Sequence, residues 1–244
     1  MIITKTLTLV AAPVPPFIGT KVMLNATADS LVWGIDTADP AEEVSDTVRI
    51  EWGDGEVYIG SNEIGNLTHT YPGPGVYEVK ISDDILNMDF SGRATSMYLT
   101  KYVKLITAIE SNARNVDALT SSFLCAATNL TRFDMRDVPA LVATDSCMEG
   151  CTALTSLAGL PRSLVNIRQR AFANCTAVTG RVDLPNVRQI GIGDDGPEKA
   201  PFLNCAGISE IHFAAANEAA VKASPAYLAD PHLGAANATL YFDL

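Results

Sequence analysis

The chain has 244 residues, enough for one large domain or two modest ones with a substantial core. Hydrophobic residues make up 48% of it, which argues against extended disorder, and no apolar run approaches the ~18 residues that span a bilayer. The formal charge is −11 and sits mostly in the first 100 residues, which hold 5 basic and 14 acidic side chains, so nucleic acid is not an expected partner.

In chain order, Thr4–Val10 alternates Leu7 and Leu9 with Thr6 and Thr8. That is the pattern of a half-buried strand, whereas the core of a signal peptide is a continuous apolar run, so no export signal is expected here. Further alternating runs at Lys21–Ala26, Val48–Trp52, Glu56–Ile59 and Val76–Ile81 are separated by Pro, Gly, Asp and Asn clusters, and each reads as a strand. In VRIEWGDGEVYIG, Val48, Ile50 and Trp52 share one face and Arg49 and Glu51 the other. Asp54-Gly55 supplies the tight turn of a hairpin. Strands at this spacing with this turn chemistry predict a small β-sandwich over residues 1–82.

Glu51-Trp52-Gly53-Asp54-Gly55, then His69-Thr70-Tyr71, then Pro74-Gly75-Val76-Tyr77-Glu78-Val79 resembles the polycystic-kidney-disease (PKD) domain. The usual W-x-F-G-D-G hairpin is shortened here to W-G-D-G. The resemblance covers about residues 4–82 and implies an immunoglobulin-like sandwich acting as a spacer or binding module. On that reading Asp54 is a turn residue and His69 a structural one.

After residue 100 the grammar changes to a repeat. Leu124, Met148 and Phe172 fall 24 residues apart, as do Ala127, Cys151 and Cys175; Leu130, Leu154 and Val178 follow the same period. Phe202-Leu-Asn-Cys205-Ala-Gly-Ile208 is a further copy 30 residues on, with its added residues around 191–198 expected to loop off one edge. The third copy carries one extra residue, since Val182 stands four after Val178. A fixed period of this length predicts a solenoid, whose coils bury their apolar faces only by stacking. The pattern resembles the BspA-type leucine-rich repeat, with Ala171-Phe172-Ala-Asn-Cys175 and Val187-Arg-Gln-Ile190-Gly191 the nearest matches.

Two walls are expected in each coil. L-x-x-I-x-L forms a parallel strand, and A-F-x-x-C forms a helical or 3₁₀ turn with its aromatic ring inside. Residues 83–110 are expected to bridge the sandwich to the repeats at 111–213 without a flexible linker. Residues 214–244 then cap the array with a helix over 214–224, ended near Pro225, and a last strand in ATLYFDL. The fold class is therefore mainly β: an N-terminal sandwich and a C-terminal repeat solenoid with a parallel sheet and short helical turns.

Chemistry is sparse. The three histidines, His69, His212 and His232, do not accompany any nucleophile elbow, zinc signature, phosphate loop or dinucleotide fingerprint, so no catalytic residue is assigned. The odd count of five cysteines prevents complete pairing; Cys151, Cys175 and Cys205 occupy one repeat position and read as small buried thiols. Cys147 and Cys151 lack the further ligands of a zinc site, and no cofactor is expected. Calcium is a weak alternative in three acidic loops: Asp36, Asp39, Glu42, Glu43 and Asp46; Asp83-Asp84; and Asp194-Asp195. None has EF-hand spacing, and the solvated-loop reading is preferred.

The positions expected to meet a partner are the outward residues of the repeat strands. They form two columns, Arg132, Ser156, Arg181, Glu210 and Asp134, Ala158, Asp183, His212, with His212 exposed on the sheet face. The expectation from sequence and resemblance together is a non-enzymatic surface or assembly protein. It would be a decoration or tail-fibre-type component of a bacteriophage virion, with protein partners in the particle or on the host. The alternative is a bacterial cell-surface adhesin, and a weaker third option is an accessory carbohydrate-binding module. No motif bears on homo-oligomerisation, which such proteins often show.

Overall fold

The computed structural model describes residues 17–35, 47–61, 67–82, 103–114, 118–119, 123–140, 142–191 and 196–244. The chain is mainly β. In its first part, β1 (Gly19–Ala26), β2 (Val32–Ile35), β3 (Thr47–Glu51), β4 (Val57–Ser61), β5 (Leu67–Thr70) and β6 (Gly75–Ser82) include four of the five expected strands. The fifth, Thr4–Val10, lies outside the described residues, and β2 was not foreseen.

Alternation decides which face goes inside. On β1, Thr20, Val22, Leu24 and Ala26 are buried, while Lys21 and Met23 are half-exposed. Strands β3 and β4 form the expected hairpin, pairing Glu51 with Val57, and Ile50 and Trp52 point inward. The turn needs glycine: Gly53 and Gly55 have φ of 89° and 102°, and a Cβ on Gly53 would stand 2.7 Å from the Glu78 carbonyl oxygen. Asp54 does more than turn the chain. It accepts the backbone N–H of Glu56 and holds the buried His69 ring at 2.7 Å; that ring stacks on Trp52 at 4.9 Å. Tyr71 donates its hydroxyl to the Trp52 carbonyl at 3.1 Å, completing a latch between the hairpin and β5. Burial pushes the Asp54 carboxyl up, but the bonds from His69 and the Glu56 amide outweigh it and hold the group below its usual range.

The second part of the chain begins with β7 (Ile106–Ser111), which lies almost wholly in the expected bridge, followed by β8 (Ala118–Leu119) and β9 (Arg132–Asp134). Strand β7 pairs antiparallel with β1 and parallel with β9, so one six-stranded sheet, β4-β3-β6-β1-β7-β9, runs across both parts of the chain. The seam is closed by a buried 2.8 Å hydrogen bond between the Thr20 and Ser111 hydroxyls, and Ile109 sits fully buried between Val22 and Phe133. Each part covers what would otherwise be an open sheet edge of the other.

Beyond it come β10 (Val142–Ala143), β11 (Asn166–Ile167), β12 (Gly180–Leu184), β13 (Gln189–Ile190), β14 (Ile208–Phe213) and β15 (Thr239–Phe242). They form two parallel ladders. One is β13-β11-β10-β8, which places Leu119, Ala143, Ile167 and Ile190 in the core. The other is β12-β14-β15, with Val182, Ile211 and Leu240 in register. The register shifts between Gly180 and Arg181, where Ser209 of β14 is passed over, and from there Val182 meets Ile211.

Between the ladders, each coil turns a corner around its large apolar residue. Leu124, Met148, Phe172 and Phe202 are all fully buried, and the last two rings stack at 5.5 Å. Backbone N–H groups reach from coil to coil: Leu124 to Cys147, Met148 to Ala171, Phe172 to Pro201 and Phe202 to Leu233. A 3₁₀-type turn closes each corner, as in the Cys205 N–H to Phe202 carbonyl bond of 3.0 Å. The cysteine column has a defined task. Cys151, Cys175 and Cys205 donate their thiols to the carbonyls of Leu124, Met148 and Phe172 in the preceding coil, at 3.3, 3.2 and 3.2 Å. Ala127, in the first copy of the motif, stands where such a thiol would otherwise be. Burial and the neighbouring Cys175 push the Cys205 thiol up to about 12, so it stays a proton donor.

Two expectations are corrected. The second copy makes no strand at Ser156: the Ser156 hydroxyl accepts the Ala158 N–H at 3.1 Å, a local turn that competes with the ladder. Its neighbour Gly159 lies against the Phe133 carbonyl, where a Cβ would be 1.8 Å from the oxygen. The outward columns therefore do not run on one continuous sheet. Nor is 214–224 one helix: a 3₁₀ turn at Ala215–Asn217 leads into α1 (Glu218–Lys222), and Pro225 opens a second helix, α2 (Pro225–Ala229), instead of ending the first. Proline at the first helical position loses no hydrogen bond, which is why it starts α2. After α2 the chain makes a further coil, with Ala235 and Ala238 buried and Asn237 donating its amide to the Ala206 carbonyl at 2.8 Å.

Candidate functional site

The eight expected partner-facing positions fall into three places. Arg181, Asp183, Glu210 and His212 share the outward face of the β12-β14-β15 sheet, where Arg181 pairs with Glu210 and Asp183 with His212. Arg132 and Asp134 lie on β9, at the edge of the six-stranded sheet. Ser156 and Ala158 are in the turn between them, outside any strand.

On the three-stranded face His212 is not exposed, contrary to expectation; its side chain is 4% accessible. Tyr241, its cross-strand neighbour on β15, stacks over the imidazole at 4.5 Å. Its Nδ1 meets Asp243 Oδ1 at 2.7 Å and its Nε2 meets Glu210 Oε2 at 3.0 Å. Burial lowers the proton affinity of the ring, but the two carboxylates outweigh it and hold the imidazole above its ordinary value. Arg181 donates to Asp183 at 2.6 Å and stands close enough to oppose that rise. Tyr241 and Asp243 were missed by the sequence reading, although alternation in Thr239-Leu-Tyr-Phe-Asp243 places them on the outward side.

At the other end, Arg132 pairs with Glu110, and Arg136 grips Asp134 with two nitrogens at 2.9 and 2.7 Å. The Arg136 bonds hold the Asp134 carboxyl below its usual range. Asp134 and Arg136 border a polar cleft of about 310 Å³ between β1, β7 and the end of β9, with Lys21, Glu110, Asn112 and Phe17 on its walls. Exposed pairs of this kind are screened by solvent, so they order the surface without adding much stability.

Among the described residues, no group of three or more His, Cys, Asp or Glu is placed to hold a metal ion. The three acidic loops considered for calcium lie outside the described residues. No helix among the described residues is long and apolar enough to cross a membrane. Comparison of the chain with protein-family models, with curated proteins and with solved structures finds no match.

Proposed function

We propose that this chain is a non-enzymatic recognition or assembly protein, a PKD-like sandwich continued into a BspA-type repeat solenoid, displayed on the surface of a bacteriophage virion. The observation that carries the reading is the thiol column. Three cysteines per stack act as buried hydrogen-bond donors to the preceding coil, and all five cysteines of the chain are reduced thiols. A core built on buried thiols outside any disulfide suits a chain that folds under reducing conditions. A particle component folds in the cytosol and reaches the outside by lysis, which supplies those conditions. The coil stack then offers extended, charged outward faces suited to protein partners in the particle or on the host, or to a glycan. Mass spectrometry of purified particles tests the assignment: the chain present in stoichiometric amount supports it, and its absence from particles overturns it.

The second reading is a bacterial surface adhesin, favoured by the match of Ala171-Phe172-Ala-Asn-Cys175 to the BspA pattern. Surface labelling of intact bacteria that express the chain from its own gene discriminates the two.

A further inference from the structure

The arginines of residues 118–244 divide into two sets. Arg132, Arg136, Arg162, Arg170 and Arg181 each reach a carboxylate, on Glu110, Asp134, Asp137, Glu149 and Asp183 respectively. Arg168 and Arg188 are exposed and reach none among the described residues. In a chain of net charge −11, two arginines left without an acid are the exception. Both flank the other ladder, Arg168 just after β11 and Arg188 just before β13.

One side of that ladder is concave. The helices α1 and α2 fold back beside β11 and β13 and leave a cleft of about 450 Å³. Its walls are Arg188, the Asn166 and Gln189 amides, the aliphatic Val165, and Ala220, Ala223 and Pro225 of the helical segment. Asn166 and Gln189 are register partners in the parallel ladder, so their amides project side by side from strands roughly 4.8 Å apart. Neither amide has a hydrogen-bond partner among the described residues, and each offers both donors and an acceptor. Arg168 lies one residue past the ladder pair Ile167–Ile190 and is not part of the cleft wall, so Arg188 is the cation that the cleft presents.

We propose that this cleft binds a carboxylated saccharide, of the uronic-acid class, with Arg188 on the carboxylate, the Asn166 and Gln189 amides on adjacent hydroxyls, and the Ala and Pro surface under the sugar ring. The chemistry selects this class. A planar guanidinium matches a carboxylate with two parallel hydrogen bonds. Paired amides suit vicinal hydroxyls, which both donate and accept. The volume falls in the range of small-ligand sites, about 300–1,000 Å³. The proposal deepens the surface-recognition reading and rests on it, since it names what one face recognises.

The test is calorimetric titration of the full chain with an oligogalacturonate, a neutral galacto-oligosaccharide of equal length, an oligoglutamate peptide and inorganic phosphate. Saturable binding of the oligogalacturonate alone is expected. Arg188→Gln should weaken it at least tenfold, while Arg168→Gln, outside the cleft wall, and Arg49→Gln, distant on β3, should leave it unchanged. Asn166→Ala, which keeps the Arg188 charge, should also weaken it, and that separates sugar recognition from simple anion attraction. Thermal melts of each variant verify that the fold is retained. The proposal is overturned if the neutral sugar, the peptide or phosphate binds as tightly, if no probe binds, or if Arg188→Gln binds like the parent. Failure here leaves the particle assignment standing, because that is decided by the composition of purified particles.

Discussion

At the coil corners one position repeats in the left-handed conformation: Ala126, Gly150, Asn174 and Asn204 have φ of 62°, 79°, 61° and 63°. Glycine takes this conformation freely and asparagine tolerates it, but alanine places its Cβ against the following carbonyl at about 1–2 kcal/mol. Glycine gives back about 0.5–1 kcal/mol by loosening the unfolded chain. Ala126 is only partly buried, so trimming its methyl loses little packing. Ala126→Gly is therefore expected to stabilise the protein by roughly 0.5–1 kcal/mol, a rise in Tm of about 1–4 °C for a chain of this length. The reverse change makes the control. At Gly150 the nearest heavy atom to an added Cβ is Ala126 Cα at 3.6 Å, ordinary contact, so Gly150→Ala isolates the conformational cost and should lower stability by a similar amount. Both are read by calorimetry and urea titration. A lower Tm for Ala126→Gly, or a higher one for Gly150→Ala, would show that the corners are not limited by backbone conformation.

Phe172→Ala removes a fully buried ring stacked on Phe202 and should cost about 3–5 kcal/mol, seen as a large drop in the urea midpoint; a loss under 1 kcal/mol would contradict the stacked core. Because β7 is shared, tryptophan fluorescence from Trp33 and Trp52 and far-UV circular dichroism should report one coincident unfolding transition; two separated transitions would mean that the six-stranded sheet does not couple the parts. His212 binds its proton more tightly folded than unfolded, so its stabilising contribution is complete below its ordinary value of 6.5 and is lost as pH rises through the higher folded value. The stability difference between parent and His212→Gln should accordingly be larger at pH 5.5 than at pH 9, and equal differences would refute the carboxylate clamp. Cys175→Ala removes the thiol donor to the Met148 carbonyl and should destabilise by about 1 kcal/mol or more, while Ala127→Cys, at the first motif copy, should bring no matching gain; equal and opposite effects would deny the coil-to-coil role.

Much of the architecture was written in local pattern. Period-2 alternation marked β1, β3, β4 and β6, and the 24-residue spacing of Leu124, Met148 and Phe172 placed all three inside. It also fixed which residues of β12 and β14 face outward, since Arg181 meets Glu210 and Asp183 meets His212 as the copies align. Those features follow from periodicity, which any one segment carries by itself.

Other features depend on what the segments meet. Ser156 has a strand-compatible pattern, yet its hydroxyl captures the Ala158 N–H while Gly159 packs against the Phe133 carbonyl, and the ladder breaks there. His212 looked solvent-facing until Tyr241 and Asp243, 29 and 31 residues later, covered it. The last coil was hidden because alanine fills its repeat positions at Ala235 and Ala238, and alanine carries almost no signal in a pattern built on Leu, Phe and Cys. Above all, nothing local announces that β7 joins β1: that pairing spans more than 80 residues and is decided by complementary sheet edges. The cleft flanked by Arg188 is likewise a product of α1 and α2 packing beside β11 and β13. Sequence determines which side of each segment is apolar; only the assembled fold determines which polar sides end up facing one another.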